Sequence, residues 1–382
     1  MIVVIADDIT GAAEMGGIAL RYGLKSIMAD DVSIDVKSDV LIIYTNTRSL
    51  PEDEAVDIMA DLTKRASRLK PDLFYKKTDS VLRGHILAEM KAQMQELKFD
   101  KGLLVPVNPS LGRVISDGQY FVNGQPIHQT SFSNDPEFPI KSSDVLEMLG
   151  DNGKSVKVIT QQDSLLENNI SVGEAKTNED ISFWAGKVDE RTLAAGGASF
   201  FNALLSKKFH LKYENKERVR LSSPLLLVSG TTFQKNVQKI RQYSHLVSYM
   251  PQHVFNNQRI IDSEFEEWRD DILEKLSKYN KVIIGVDNSA NERADPNVLR
   301  EKKATVAELV LRKASVREVL IEGGSTAYSI VQKIGWQSFI PTEELEQGIV
   351  RMQVKEMTDL HLTIKPGSYE WPVEWNFNDI SL

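Results

Sequence analysis

The chain of 382 residues contains no cysteine, and this absence excludes disulfide bonds, thiolate zinc sites and cysteine nucleophiles. Histidine is scarce, and the six histidines show none of the paired spacing that metal sites use. No apolar run approaches the roughly 18 residues that a membrane helix needs, and the short apolar start runs straight into two aspartates. We therefore expect a cytoplasmic protein without a membrane partner.

The chain also lacks an excess of basic residues, because its formal net charge is −8. That balance argues against a nucleic-acid partner or an anionic membrane surface, both of which bind basic faces. The net charge does not exclude a small anionic substrate, because a few local arginines and lysines can outweigh the charge of the whole chain. Hydrophobic residues at 41% and charged residues at 26% are typical of globular domains, and the length favours two of them.

Short apolar runs alternate with helical stretches along the first half of the sequence. The runs that we interpret as strands cover residues 1–6, 40–44, 73–77 and 103–107, and residues 225–228, 282–286 and 319–321 continue the pattern later. Continuous apolar strands alternating with helices predict a mainly parallel, doubly wound sheet in each domain. The dipeptide Asn123-Gly124 predicts a small antiparallel hairpin within the first domain. A charged, weakly periodic stretch places the boundary between residues 1–215 and residues 216–382.

Polar residues follow each of the first four predicted strands. They are Asp7 and Asp8, then Arg48, then Lys77 and Asp79, then Asn108 and Arg113. Because ligands bind outside the carboxyl ends of parallel strands, four such loops in succession favour a binding site over scattered surface charge.

The pair Asp7-Asp8 after a buried strand has two other interpretations. Haloacid-dehalogenase phosphatases also end their first strand in aspartates, but theirs alternate with another residue, whereas adjacent Asp7 and Asp8 point apart. In the second interpretation, Asp8 only caps the helix that follows and takes no part in binding. The segment 76–84 adds cations, a carboxylate and two hydroxyls, a combination that suits proton removal beside a phosphoryl group. A surface ion pair between Lys77 and Asp79 is the structural alternative.

Glycine-rich turns follow strands in the second half of the sequence. Gly323 and Gly324 come directly after a predicted strand and before a helix, an arrangement that lets backbone N–H groups approach a phosphate. Ser229 and Gly230 repeat the arrangement, and Gly367 follows a late strand. Tight turns also need glycine for steric reasons, so each loop alone is a weak indication. Together they favour a nucleotide site in this domain.

Taken together, these residues resemble the four-carbon acid sugar kinase family over nearly the whole chain. The segments that carry the resemblance are 6–12, 77–84, 108–113 with 117–118 and 122–124, and 323–327. The resemblance implies a sugar-acid domain, a nucleotide domain and a site in the cleft between them. It implies that Asp8, Arg48, Lys77, Thr78, Asp79 and Ser80 hold the sugar acid. It implies that Ser229, Gly323, Gly324, Ser325, Thr326 and Gly367 hold ATP.

The expected reaction is ATP-dependent phosphorylation of the terminal hydroxyl of D-threonate, D-erythronate or 3-oxo-tetronate. Arg48, together with Lys77, would clamp the substrate carboxylate, and Asp8 or Asp79 would accept the hydroxyl proton. Mg²⁺ would bridge the phosphates of ATP. The alternatives are a phosphosugar phosphatase and a sensor that binds sugar acid and nucleotide without turnover. The sequence leaves the stereoisomer and the formation of a homodimer open.

Overall fold

The computed structural model describes residues 1–32, 37–135, 137–151, 155–211, 220–230, 240–257, 259–286, 295–367 and 369–371. The chain divides into two compact units, Met1–Glu214 and Asn215–Leu382. The domain boundary predicted between residues 215 and 216 lies outside the described residues. None of the described helices combines the length and the apolar composition that crossing a membrane would require.

Unit 1 is built on a parallel sheet with the strand order β2-β3-β1-β4-β11-β5-β10-β9. Its strands are β1 (Ile2–Ala6), β2 (Ser26–Ala29), β3 (Val40–Tyr44), β4 (Leu73–Lys77), β5 (Lys101–Val105), β9 (Val156–Ile159), β10 (Asn169–Gly173) and β11 (Thr192–Gly196). β1, β3 and β11 are buried throughout, as strands covered on both faces must be. The predicted parallel sheet is confirmed for this unit.

The helices of unit 1 connect these strands. They are α1 (Ile9–Arg21), α2 (Glu52–Ser67), α3 (Ile86–Leu97), α4 (Val145–Met148), α5 (Asn178–Ala185) and α6 (Ala198–Lys208). α2 packs on α3, whereas α6 packs on both α1 and α5. The chain leaves β1 towards β2 on one side and returns from β3 past β1 to β4 on the other side. This reversal makes the carboxyl end of β1 a topological switch point, the usual place for a ligand.

A separate three-stranded antiparallel sheet follows β5 in unit 1. It contains β6 (Arg113–Ser116), β7 (Gln119–Val122) and β8 (Gln125–Pro126). Asn123 and Gly124 form the turn between β7 and β8 with φ angles of 50° and 79°, the left-handed values that this hairpin turn requires. The hairpin predicted from the sequence is therefore confirmed.

Unit 2 contains a mixed sheet with the order β13-β14-β12-β15-β18-β17-β16. Its strands are β12 (Leu225–Ser229), β13 (Val247–Tyr249), β14 (Lys281–Gly285), β15 (Glu318–Glu322), β16 (Ser338–Glu346), β17 (Ile349–Val354) and β18 (His361–Lys365). β13, β14, β12, β15 and β18 are parallel, whereas β17 runs antiparallel to both of its neighbours. The described helices are α7 (Gln252–Asn256), α8 (Glu266–Tyr279), α9 (Pro296–Leu311) and α10 (Gly324–Ile334). The helix predicted after β12 lies largely outside the described residues.

Candidate functional site

Three central strands of unit 1 end side by side. Ala6 at the end of β1 lies opposite Tyr44 of β3 on one side and Lys77 of β4 on the other. The polar residues that follow these strands therefore start from one line along the edge of the sheet. The structure brings together the predicted residues Asp7, Asp8, Arg48, Lys77, Thr78, Asp79 and Ser80, and it adds Glu14, Arg83, Tyr120 and Asp135.

Arg48 lies at the centre of the acidic residues of this cluster. It contacts Asp7 at two points, from Nε to Oδ2 and from Nη2 to Oδ1, both at 2.9 Å. Its Nη2 lies 3.2 Å from Asp8 Oδ1, and its Nη1 lies 3.8 Å from Asp79 Oδ1. The carbon chain of Arg48 packs on Gly84, where an added Cβ would lie 3.0 Å from Arg48 Cγ. The guanidinium is thus held by three carboxylates of the protein itself.

Asp8 begins α1 as its N-cap. Its carboxylate accepts a hydrogen bond from Gly11 N at 2.9 Å and another from the Thr10 hydroxyl. Burial raises the pKa of Asp8, but Arg48, Lys77 and these hydrogen bonds outweigh burial and hold the pKa below its ordinary value. Asp8 is therefore an ionised carboxylate at neutral pH.

Asp79 differs from Asp8 because both of its carboxylate oxygens accept hydrogen bonds from one arginine side chain. Arg83 donates to its two oxygens from Nε at 2.7 Å and from Nη2 at 2.9 Å, and Arg83 Nη1 also donates to Asp135 at 2.8 Å. Burial raises the pKa of Asp79, yet Arg83 and Arg48 outweigh it and hold that pKa far below its ordinary value. The structural alternative, a surface pair between Lys77 and Asp79, is not what the structure shows, because Asp79 forms a buried pair with Arg83. Both oxygens of Asp79 are already engaged.

Lys77 and Thr78 lie beneath the same loops. Lys77 Nζ donates to Thr78 O at 2.9 Å and lies 3.8 Å from Glu14 on α1. Gly11 makes room for this arrangement, because a Cβ there would lie 2.9 Å from Lys77 Nζ. The buried Thr78 hydroxyl makes no hydrogen bond within the part of the chain that the structure describes. A buried hydroxyl without a partner is costly, so a ligand oxygen would stabilise it.

Ser80 connects the cluster to the small antiparallel sheet. Its hydroxyl accepts from Arg113 Nη1 at 2.6 Å, and its carbonyl accepts from the Tyr120 hydroxyl at 2.6 Å. Burial raises the pKa of Tyr120, so its hydroxyl stays a neutral donor. Tyr120 and Asp135 were missed by the sequence reasoning. Their only sequence signal was the hairpin that begins beside Arg113.

Unit 2 has its own row of polar residues at the carboxyl ends of three parallel strands. Ser229 of β12, Glu322 of β15 and Lys365 of β18 lie in register. The buried Glu322 carboxylate accepts from Ser229 Oγ at 2.8 Å and from Trp371 Nε1 at 2.6 Å, and it lies 3.5 Å from Lys365 Nζ. Glu322 therefore joins the three segments that the sequence assigned to one nucleotide site.

Two buried lysines hold the outer segments of this row. Lys303 Nζ on α9 donates to Ser229 O at 2.8 Å, and Lys365 Nζ donates to Pro366 O at 3.1 Å and to Tyr369 O at 2.6 Å. Burial lowers the pKa of Lys303 to about 8, although the negative charge of Glu322 acts to raise it. No sequence pattern pointed to Lys303, because a lysine buried on a helix has no distinctive pattern.

The glycine loop that follows Glu322 opens α10. Gly323 is the N-cap, with φ 95° and ψ 130°, and its N–H donates to Lys365 O at 2.8 Å. Gly230 lies against the same loop, where a Cβ would lie 2.2 Å from Glu322 O and 2.2 Å from Thr326 Oγ1. Close backbone packing and a positive helix end suit a phosphate. The start of this helix carries the predicted residues Gly324, Ser325 and Thr326, and Gly367 lies just beyond β18.

Within the described ranges, no group of three histidine or acidic side chains is arranged to hold a metal ion. A Mg²⁺ ion bound mainly through nucleotide phosphates and water needs only one or two protein carboxylates, so this finding is compatible with such an ion.

Comparison with protein families matches residues 2–204 of this chain to the family model described as the sugar-binding N-terminal domain. A D-threonate kinase from Salmonella typhimurium is 25% identical over 413 residues, covering 96% of this chain and 95% of that protein. A 3-oxo-tetronate kinase from Haemophilus influenzae is 22% identical and covers 97% of each chain. A D-erythronate kinase from Heliobacterium modesticaldum is 29% identical over 46% of this chain and 41% of that protein.

Two solved structures have the same fold as this chain. A Haemophilus influenzae protein of family DUF1537 superposes with a TM-score of 0.72 at 18% identity, covering 96% of this chain and 97% of that one. A Salmonella typhimurium protein described as a putative tRNA synthase superposes with a TM-score of 0.75 at 17% identity, covering 97% and 96%. At these identities the superpositions establish the fold alone, and they confirm the predicted α/β class.

Proposed function

We propose that this chain, which belongs to the four-carbon acid sugar kinase family, transfers the γ-phosphoryl group of ATP to the terminal hydroxyl of a four-carbon sugar acid. The chain is a sugar-acid kinase, and as a kinase it uses ATP. The observation that carries the proposed reaction is the cluster of carboxylates and cations at the ends of β1, β3 and β4. This cluster lies within the segment that matches the sugar-binding family model.

The acceptor is proposed to bind at this cluster in unit 1. The hydroxyl oxygen of the sugar acid attacks the γ-phosphorus, the bond from phosphorus to the β,γ-bridging oxygen breaks, and ADP leaves. The hydroxyl proton goes to a carboxylate, for which we propose Asp8. Both oxygens of Asp79 are bound by Arg83, so we propose that Asp79 orients the acceptor loop. Lys77 supplies positive charge close to the reacting oxygens, and the buried Thr78 hydroxyl supplies a donor for the acceptor.

Arg48 is proposed to organise the acidic residues of the site. Its two-point contact with Asp7 and its approach to Asp8 fix the positions of both carboxylates. A substrate carboxylate could reach this guanidinium only by displacing a carboxylate of the protein. We therefore propose that Arg48 acts on substrate binding through Asp7 and Asp8, instead of the direct clamp expected from the sequence.

The nucleotide is proposed to bind in unit 2. The N–H groups at the start of α10 would receive its phosphates, with Ser229, Gly323, Gly324, Ser325, Thr326 and Gly367 around them. Mg²⁺, held mainly by the phosphates and water, would neutralise charge that develops on the phosphate oxygens. Glu322, Lys303 and Lys365 would hold the nucleotide loops in position. The cleft between the two domains stays a prediction from the sequence, as do the cytoplasmic location and a homodimer.

The test is an assay of ADP release with D-threonate, D-erythronate, 3-oxo-tetronate and their stereoisomers as acceptors. We expect ADP release that depends on one acid, with a phosphomonoester at its terminal carbon identified by NMR. ATP hydrolysis without acceptor phosphorylation would contradict the proposal. Phosphate release from a phosphosugar in the absence of ATP would indicate a phosphatase, and ligand binding without turnover would indicate a sensor.

A further inference from the structure

Three arginines lie at the acceptor site of unit 1, and they differ in their carboxylate partners. Arg48 makes a two-point contact with Asp7. Arg83 makes a two-point contact with Asp79 and also binds Asp135. Arg113 has no carboxylate partner among the residues that the structure describes, and its one side-chain hydrogen bond there runs from Nη1 to Ser80 Oγ at 2.6 Å. Arg113 therefore keeps most of its five N–H donors available.

The position of Arg113 is nevertheless fixed by neighbouring residues. Its backbone N–H and C=O both pair with Asn108 at 3.0 Å. Its guanidinium lies over the ring of Phe132, 5.4 Å from the ring centroid, and Ser80 holds one of its nitrogens. A ring beneath the plane and a hydroxyl at one edge restrict a planar guanidinium without neutralising its charge. Such a preorganised group loses little entropy when it binds a ligand.

The charge of the site favours an arginine without a carboxylate partner as the group that binds an acid substrate. Asp7, Asp8 and Asp79 repel an approaching carboxylate, and the guanidiniums of Arg48 and Arg83 are committed to them. We propose that Arg113 binds the carboxylate of the sugar acid and so determines the preference for acids over neutral sugars. Ser80 is the positioning residue that orients Arg113. This inference rests on the proposed function, because it concerns the acceptor of that reaction.

The binding alternatives within the same cluster are weaker. For Arg48 or Arg83 to bind a substrate carboxylate, a buried aspartate would have to give up its partner, and an unpaired buried charge is strongly unfavourable. Lys77 Nζ already donates to Thr78 O, and as a lysine it lacks the two parallel donors that match a carboxylate. Arg113 needs no such exchange.

The experiment measures binding of the preferred acid, and of the corresponding uncharged carboxamide, to the full chain by calorimetry. The variants are Arg113→Gln and Arg113→Lys, each checked for folding by thermal melting. A lost charge-assisted two-point contact should weaken acid binding by roughly 30- to 100-fold in Arg113→Gln. Binding of the carboxamide should change by less than about threefold, so the acid preference should collapse. Arg113→Lys keeps the charge and should recover only part of the acid affinity.

Two further variants complete the test. Arg68→Gln changes an exposed arginine just after α2 and should leave acid binding unchanged. Ser80→Ala should reduce acid affinity more than carboxamide affinity, because it removes the group that orients Arg113. If Arg113→Gln loses acid and carboxamide affinity equally, or loses neither, Arg113 does not bind the substrate carboxylate. The proposed function would still stand in that case, provided that the wild type turns over. Failure of the wild type to bind any four-carbon acid would overturn both.

Discussion

Arg48 and Asp7 form a two-point ion pair at the end of the first strand, with both N···O distances at 2.9 Å. Asp7 is 2% exposed, so its carboxylate has little access to water. A buried carboxylate of this kind depends on its partner, because removal of the partner leaves a charge that neither water nor protein compensates. The pair therefore links the stability of unit 1 to the geometry of the proposed acceptor site.

Arg48→Ala should destabilise unit 1 and weaken acceptor binding. Breaking a buried pair costs about 3–5 kcal/mol of the free energy of unfolding. Arg65 is the matched control, since it pairs with Asp31 and Asp61 at the surface, and Arg65→Ala should cost less than about 1 kcal/mol. Denaturant unfolding gives both values, and calorimetry should show ATP affinity unchanged in Arg48→Ala. A loss no larger than that of Arg65→Ala would mean that Asp7 does not depend on Arg48.

The sequence predicted which loops meet at the acceptor site, because polar residues followed consecutive strands of a parallel sheet. It did not predict which charges pair within the site. Lys77 and Asp79 are close in sequence, yet Asp79 pairs with Arg83, four residues further along the same loop. Pairing depends on side-chain directions within a loop, and these follow from the packed structure instead of the residue order.

The loops proposed to bind the nucleotide show even more clearly that the sequence does not predict side-chain pairing. Gly323 and Ser229 were predicted from their positions after strands, whereas the buried residues beneath them were not. Lys303 and Trp371 come from a helix and from the segment after the last strand, far from both loops in sequence. A buried lysine and a surface lysine look alike in one sequence, so only tertiary structure separates them.

Gly323→Ala should weaken ATP binding, whereas its loss of stability should be no larger than that of a matched glycine outside the loop. Gly323 has a φ of 95°, which a residue with a Cβ rarely adopts, so alanine should shift the N–H groups at the start of α10. Gly335 at the other end of α10 has a φ of 80° and serves as the matched control. Both variants should lose about 1 kcal/mol of stability, and Gly323→Ala alone should lose about tenfold or more in ATP affinity. Equal ATP affinity in the two variants would place the phosphates elsewhere.

Lys303 should make the stability of the protein depend on pH in the alkaline range. Burial lowers its pKa to about 8 from the ordinary 10.5, so between these values the unfolded chain binds a proton that the folded chain has lost. The contribution of Lys303 to the free energy of unfolding should therefore rise by up to about 3 kcal/mol as pH increases from about 8 to about 10. The measured quantity is the difference between wild type and Lys303→Met at each pH. The exposed Lys313 is the control, because Lys313→Met measures the effect of the same substitution at the protein surface. A flat difference for Lys303→Met would indicate that this lysine keeps its ordinary pKa.

The last prediction identifies the proton acceptor. Asp8→Asn should lower kcat by roughly 10²- to 10⁴-fold with ATP affinity preserved, the usual contribution of a general base. The helix should remain capped, because asparagine is as good an N-cap as aspartate. Asp144 caps α4 in the same way, so Asp144→Asn is a matched control that should retain wild-type turnover. Asp79→Asn disturbs the contact with Arg83 and should mainly raise KM for the acid.

The pH profile tests the same assignment independently. The pKa of Asp8 lies below its ordinary value because Arg48 and Lys77 outweigh the effect of burial, so the base is already ionised well below neutral pH. The wild-type kcat/KM should therefore be flat between about pH 5 and pH 7 and fall only at lower pH, as Asp8 gains its proton. A large loss of kcat confined to Asp79→Asn would transfer the role of base to Asp79. Full activity in both variants would remove the proton-accepting carboxylate from the mechanism, because phosphoryl transfer would then proceed by positioning and electrostatic stabilisation alone.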